Sequence, residues 1–274
     1  MKHLAGRVAW VTGSSRGIGR VIASQLARSG ASIVVHGTTP TSSRAFGEAE
    51  SLAAVAVSIQ QETSAKVLAV HGDLSCQSTV GRCVQQIHEH FSRIDILVNC
   101  AGGDIGAGGT QGPLGGKPEN NDPLNISYED IQVVLNRNLM TCILVCREIA
   151  PEMIERRSGK IVNIGSVVGI QGMAESAIYA TAKAAVHHYS RCLAEFLRPY
   201  SVNVNVVAPG DIATARFLSS RAIDDSMLDD SGGLVRYGKP AEVASIVDFL
   251  ASEAASYVTG QILRIDGGKQ SWPA

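Results

Sequence analysis

Residues 7–37, RVAWVTGSSRGIGRVIASQLARSGASIVVHG, decide the reading of the fold. An aliphatic run at 7–12 meets a glycine turn, an amphipathic stretch at 17–29 follows, and a second aliphatic run occupies 32–37. Gly13, Gly17 and Gly19 are spaced GxxxGxG, not GxGxxG as in the usual dinucleotide fingerprint. The physics is the same for both spacings. Glycines permit a tight turn and close approach of backbone to a phosphate, while the helix N-terminus supplies free N–H groups and the positive end of its dipole. Three glycines alone would be ordinary loop chemistry. Between a first strand and a helix they point to a nucleotide, with Gly13, Ser15, Arg16, Gly17, Ile18 and Gly19 as the candidate contacts.

Outward from this unit the alternation repeats. Aliphatic runs at 66–72, 94–100, 160–166, 202–208 and 262–266 read as further strands, apolar nearly throughout as strands covered on both faces are. Helical patterns occupy 44–62, 77–91, 127–156, 175–198 and 240–252. Strand–helix alternation implies a doubly wound α/β fold, a parallel sheet with helices on both faces. No linker interrupts the rhythm, so residues 1–274 are expected to form a single domain. Two segments break the pattern: the Gly-rich stretch 102–126 and residues 209–239. Both follow strands and should emerge at the carboxyl edge of the sheet, where open α/β folds bind ligands. The first is expected to be a substrate loop, mobile or ordered by ligand, and the second a lid. The paired acids Asp224, Asp225, Asp229 and Asp230 read as a solvated face.

Composition excludes several functions. A net charge of −1 argues against nucleic acid as partner, and no apolar run reaches the length of a membrane helix. No separate apolar segment precedes the first strand, so no signal peptide and a cytoplasmic location are expected. The six cysteines are scattered without a CxxC pair, which fits thiols in a reducing compartment. Cys142 and Cys146 lie four apart on a helical pattern, but no His or Cys cluster completes a metal site, and no metal is expected.

The end of the second strand bears on which nucleotide is bound. A carboxylate there would bond a ribose 2′-hydroxyl and favour NAD. This chain has His36, Gly37, Thr38 and Thr39, while Arg16 in the turn suits a 2′-phosphate. NADP(H) is therefore favoured, with NAD(H) possible. Further along, IYATAKAAVHHYS (178–190) places Tyr179 and Lys183 one helical turn apart, on one face. By itself such a pair is equally an ordinary helix surface.

Together these residues resemble a family. TGSSRGIG at 12–19, NCAG at 99–102, Asn138, Ser166, YATAK at 179–183 and PGDIAT at 209–214 look like short-chain dehydrogenases/reductases, and the match continues in order to GQILRIDGG at 260–268. The resemblance implies a single Rossmann-like domain with seven parallel strands, a nicotinamide cofactor and a homotetramer. It makes Tyr179 the acid/base, with Lys183 lowering its pKa and holding the nicotinamide ribose, and Ser166 bonding the substrate oxygen. Asn138 would anchor a proton-supplying water chain, with Asn136 as its rival. Asp73 and Leu74 would meet the adenine. Asn99, Ala101 and Gly102 would line the cofactor trough, although Cys100 stands where the family commonly has a second Asn. Pro209, Gly210, Ile212 and Thr214 would lie beside the nicotinamide. His187 and His188 read as helix-face residues without a catalytic part.

Three functions follow from this resemblance. One is an NADP(H)-dependent carbonyl reductase similar to the 3-oxoacyl-carrier-protein reductase branch, on GKIVNIGSVVG (159–169) and VNVNVVAPG (202–210), with Arg156, Arg157 and Arg198 as candidates for docking an acidic carrier. The second is a dehydrogenase of a sugar, polyol or other small secondary alcohol. The third is a nucleotide-sensing protein without turnover.

Overall fold

A computed structural model describes residues 2–228, 231 and 233–271. Its centre is a seven-stranded parallel sheet in the order β3-β2-β1-β4-β5-β6-β7. The strands are β1 (Val8–Thr12), β2 (Ser32–Gly37), β3 (Val67–His71), β4 (Ile96–Asn99), β5 (Gly159–Ile164), β6 (Val202–Pro209) and β7 (Ile262–Ile265). Between them run α1 (Gly17–Arg28), α2 (Leu52–Thr63), α3 (Gln77–His90), the single turn α4 (Pro113–Gly116), α5 (Tyr128–Leu135), α6 (Thr141–Arg156), α7 (Ala177–Leu197), α8 (Ala215–Ser219) and α9 (Pro240–Ala251).

The strands are apolar on both faces because both are covered. Val11, Ile33, Val35 and Val98 pack with Ile22 and Leu26 of α1, Val55 of α2 and Val247 of α9. Their sequence neighbours Trp10, Val34 and Leu97 point the other way, onto Ile87 of α3, Ile149 of α6 and Leu197 of α7. Each fully buried aliphatic side chain contributes about 1.5–3 kcal/mol. Strand order reverses at β1, which pairs with both β2 and β4, and this opens a crevice beyond their carboxyl ends.

All seven expected strands are present, but the long helical patterns differ. The stretch 44–62 is not one helix: a 3-10 turn over Ser42–Phe46 ends at Gly47 with φ 69°, and α2 starts afresh where Ser51 Oγ caps the Ala54 N–H at 3.1 Å. The pattern over 127–156 is continuous but carries a π turn at Asn136–Met140. There the Asn138 side-chain amide donates to Val134 O at 2.9 Å, in competition with the helix ladder. α7 starts at Ala177 because Ser176 is left-handed, with φ 70°.

The 102–126 segment is tied down by hydrogen bonds within it and to its flanks. The Asp130 carboxylate accepts from Ala107 N at 2.8 Å, and Asp104 accepts from Ser176 Oγ at 2.7 Å and Asn121 Nδ2 at 2.9 Å. In the 209–239 segment, α8 is capped by Thr214, and Ile212 forms a bridge with Gly238. Asp224 and Asp225 are exposed, while Asp229 and Asp230 lie outside the described residues.

Candidate active site

The glycine turn is built by its neighbours. Gly13 has φ 66°, and a Cβ there would lie 2.7 Å from Ala101 Cα; a Cβ on Gly19 would lie 2.5 Å from Gly13 O. Both positions therefore require glycine because the turn packs backbone on backbone, whereas a Cβ on Gly17 would meet only Thr214 Cγ2 at 3.8 Å, and that glycine leaves bare backbone facing the cleft. Thr12 Oγ1 accepts from Cys100 N and Ala101 N, both at 3.0 Å, and ties the end of β4 to the turn. His36 braces it from the other side. Its Nδ1 accepts from Gly13 N at 3.1 Å, so Nε2 carries the proton and donates to Gly72 O at 3.0 Å. Burial lowers the His36 pKa to about 4, so the imidazole stays a neutral strut at physiological pH.

The N-terminus of α1 already holds an anion. Gly17 N donates to Glu48 Oε2 at 2.8 Å. Arg16 donates to Ser42 O at 2.6 Å and lies 5.3 Å from the Phe46 ring centroid, while Arg20 donates to Glu48 O at 2.7 Å. An intramolecular carboxylate thus sits where the dipole and free N–H groups would favour a phosphate. Bare backbone at Gly17 together with an anion-filled helix end fits a dinucleotide, so the residues present are those such a cofactor needs.

From this turn a cleft of about 400 Å³ runs along the carboxyl edge of the sheet. Gly13, Ser15, Arg16, Gly17, Ile18 and Gly19 line one end, joined by Thr38 after β2 and by Asp73 and Leu74 after β3. Ala101, Gly102, Pro209, Gly210 and Thr214 line the middle, and Ser166, Tyr179 and Lys183 the far end. Three expected residues stand behind the wall instead. Asn99 turns into the sheet and donates to Asn163 Oδ1 at 2.8 Å, Ile212 joins the core, and Asn138 is buried beneath the loop. Asn138 Oδ1 accepts from Gly103 N at 2.8 Å while Nδ2 donates to Gly103 O at 3.0 Å. Its side chain therefore clamps the start of the 102–126 loop, and the expected rival Asn136 is the one that lines the cleft.

The electrostatics of Tyr179 differ from the sequence expectation. Burial dominates and pushes its pKa up to about 12; the strongest opposing influence is the Arg216 cation, and the Ser166 hydroxyl also works against the rise. Lys183 does not set this balance. It stands 5.7 Å from the Tyr179 ring centroid and donates to Ile164 O at 2.8 Å, while burial lowers its own pKa. Cys100 lines the cleft as a thiol that burial pushes up to about 11. His187 accepts weakly from Ser166 N at 3.4 Å and is kept neutral by burial, with its pKa lowered to about 4.

Sequence reasoning missed His36, Glu48, Arg137 and Arg216, all of which line or brace this cleft. A histidine in an otherwise apolar strand was a faint signal for the first; nothing local marked the others. Arg156, Arg157 and Arg198 are already engaged, by Glu152, Pro199 O and Glu195 respectively. Among the described residues no cluster of three or more His, Cys, Asp or Glu could hold a metal, and no helix is long and apolar enough to cross a membrane.

Comparison with known proteins extends the geometry. The model of the short chain dehydrogenase family matches residues 7–224. A cyclohexanol dehydrogenase from Rhodococcus sp. (strain TK6) is 38% identical over 97% of this chain and 96% of that protein. A 3-oxoacyl-(acyl-carrier-protein) reductase from Aquifex aeolicus (strain VF5) is 36% identical over 97% of this chain and 98% of its own length. Among solved structures, 7α-hydroxysteroid dehydrogenase, complexed with NADH and 7-oxo glycochenodeoxycholic acid, matches with a TM-score of 0.82 at 29% identity, over 97% of this chain and 95% of that one. The chain therefore belongs to the short-chain dehydrogenase/reductase family, enzymes that use a nicotinamide dinucleotide to interconvert CH–OH and C=O groups.

Proposed function

We propose that this enzyme is an NADP(H)-dependent reductase of a small ketone, working in reverse as a secondary-alcohol dehydrogenase, with Tyr179 as acid/base. The observation that carries the reading is that Tyr179, Ser166 and Lys183 meet at one end of the same cleft whose other end is the glycine turn. Gly13, Ser15, Arg16, Gly17, Ile18, Gly19 and Thr38 would hold the phosphates and ribose of the adenosine half, and Asp73 and Leu74 its adenine. Asn99, Ala101 and Gly102 would support the trough through their backbone, and Pro209, Gly210 and Thr214 would flank the nicotinamide, with Ile212 backing them from the core. When bound, the nicotinamide supplies or accepts a hydride.

In the reductive direction the Tyr179 phenol, kept protonated by burial, donates its proton to the substrate oxygen. The Ser166 hydroxyl orients that oxygen, and the neighbouring Arg216 cation stabilises the phenolate left behind. Lys183 holds one proton on Ile164 O and has others left for ribose hydroxyls. Asn138 fixes the backbone at Gly103 and so the floor of the pocket. The absence of an acid at Gly37 and Thr38 supports NADP(H), and the Arg16 cation supports it too. The likeness to a cyclohexanol dehydrogenase favours a small cyclic or secondary alcohol over a carrier-bound acyl chain, as does the engagement of the three candidate docking arginines. We extend the reading to a cytoplasmic homotetramer.

The test is a panel of cyclohexanone, a diketone, a β-ketoester and polyols against NADPH and NADH, followed by absorbance of the reduced cofactor. Faster ketone reduction with NADPH is expected. Polyol oxidation with NAD outrunning it would refute the proposal. Sedimentation at several protein concentrations checks the tetramer.

A further inference from the structure

Arg216 has no part in the reading above beyond its field, yet it occupies the substrate end of the cleft beside Tyr179 and Gly103. It follows the Thr214 cap in the first turn of α8, where Thr214 Oγ1 accepts from Phe217 N at 3.1 Å. The guanidinium is held by backbone carbonyls and not by an acid: Nη2 donates to Asp104 O, and Nε to Gly115 O at 3.2 Å. Both carbonyls belong to the 102–126 loop, so the side chain ties that loop to α8. Two of its three nitrogens are used in this way. The third, Nη1, has no hydrogen-bond partner among the described residues and lies 3.7 Å from where a Cβ on Gly103 would be.

The charge is poorly compensated. Burial works against it; Tyr179 favours it only as phenolate, and the carboxylate of Asp104, the next favourable group, is already engaged by Ser176 and Asn121. Arg221 and Arg137 repel it. Arg221 has its own partners, Asp211 at 3.2 Å and the Phe217 ring at 4.0 Å, so it does not share the task. A partly desolvated guanidinium with one open edge, facing the same space as an acid/base phenol, is costly to maintain unless a ligand completes it. A neutral donor would have served as a strut between loop and helix.

We propose that Arg216 determines substrate specificity and that the substrate is an oxo acid or hydroxy acid, whose carboxylate binds the open guanidinium edge while its carbonyl or hydroxyl meets Tyr179 and Ser166. This rests on the oxidoreductase reading of the same site. One open guanidinium edge suits a monoanionic carboxylate, which a single arginine can pair without a second cation.

The probes are 3- and 4-oxocyclohexanecarboxylate and their methyl esters, turned over with NADPH by the full-length chain, with wild type compared to Arg216→Gln and Arg216→Lys. The wild type should prefer acid over ester in kcat/KM by roughly tenfold to a hundredfold, the range of a hydrogen bond to a charged group. Arg216→Gln should collapse that ratio toward one through KM for the acid, and Arg216→Lys should keep part of it. In parallel, calorimetry of the NADPH-loaded protein with unreactive cyclohexanecarboxylate and cyclohexanecarboxamide should show tighter binding of the carboxylate, lost in Arg216→Gln. An ester preferred by wild type, an unchanged ratio in Arg216→Gln, or a variant whose main defect is NADPH affinity would overturn the assignment. The wild-type comparison decides even if a variant fails to fold. Arg216-dependent carboxylate binding with no turnover of either ketone would uphold the assignment while counting against the ketone-reductase reading.

Discussion

The two ends of the cleft are held by different means. The glycine-turn end is fixed by backbone packed against backbone, with Gly13 and Gly19 unable to carry a Cβ and with Thr12 and neutral His36 bracing the turn. The substrate end is assembled from side chains that reach between distant segments: Asn138 to Gly103, Asp104 to Asn121 and Ser176, Arg216 to the loop. The first arrangement tolerates almost no substitution and suits a ligand of fixed shape. The second can be rewired one side chain at a time, and substrate choice is expected to reside there.

The largest expected effect tests whether chemistry belongs to the substrate end alone. Tyr179→Phe should cost about a hundredfold to ten-thousandfold in turnover while leaving NADPH affinity within about twofold, read by steady-state rates and fluorescence titration. A large surviving rate would refute the assigned acid. At the other end, Gly13→Ala meets both a left-handed φ and a backbone contact at 2.7 Å. It should lose about 1–3 kcal/mol of stability in a denaturant melt and bind NADPH at least about tenfold more weakly. A well-behaved Gly13→Ala protein would mean that the turn is softer than its contacts imply.

Titration comes next in size. With a pKa raised to about 12, Tyr179 should show no tyrosinate absorbance in the free protein below about pH 10, in a difference titration against Tyr179→Phe. Since a cation favours phenolate, Arg216→Gln should move that ionisation higher still. Ionisation near neutrality would give Lys183 the controlling influence after all. Glu48→Gln removes an anion from the α1 N-terminus and from beside Arg16, so NADPH should bind about two- to fivefold tighter, and NADH should gain less. Weaker binding would show that Glu48 contacts the cofactor and does not compete with it. The smallest effect is Gly108→Ala, where φ is −65° and a Cβ meets nothing within 4 Å. It should be neutral or add about 0.4–1 kcal/mol in the same melt. A marked loss would remove the contrast between the two ends.

This contrast also explains what could be read from the chain. Aliphatic runs bounded by glycines reveal strands buried on both faces, so all seven strands and the glycine turn are visible locally. Helix boundaries depend on single residues: Gly47 and Ser51 split one expected helix, and Asn138 inserts a π turn in another. The cleft's other charged groups are joined across the fold. Glu48 meets Gly17 from 31 positions away, and Arg216 reaches Asp104 across 112. No periodicity carries such a pairing. The Tyr179–Lys183 spacing was legible, but its energetics were not, because burial and a distant arginine decide the phenol's proton affinity.

The irregular turn at Asn136–Met140 sets a constraint of its own. An α-helix advances about 100° per residue, and a π turn takes up one supernumerary residue locally, so the helix on either side keeps its phase. Upstream, α5 faces α7; downstream, Cys142, Val145, Ile149 and Met153 of α6 face the sheet and α3. Shortening this segment by a single codon would restore a regular α-helix and keep that stripe on the core, at the cost of the bulge that aims Asn138 at Gly103. Asn138, which bonds both Val134 O and Gly103, is the side chain here that ties this irregularity to the pocket.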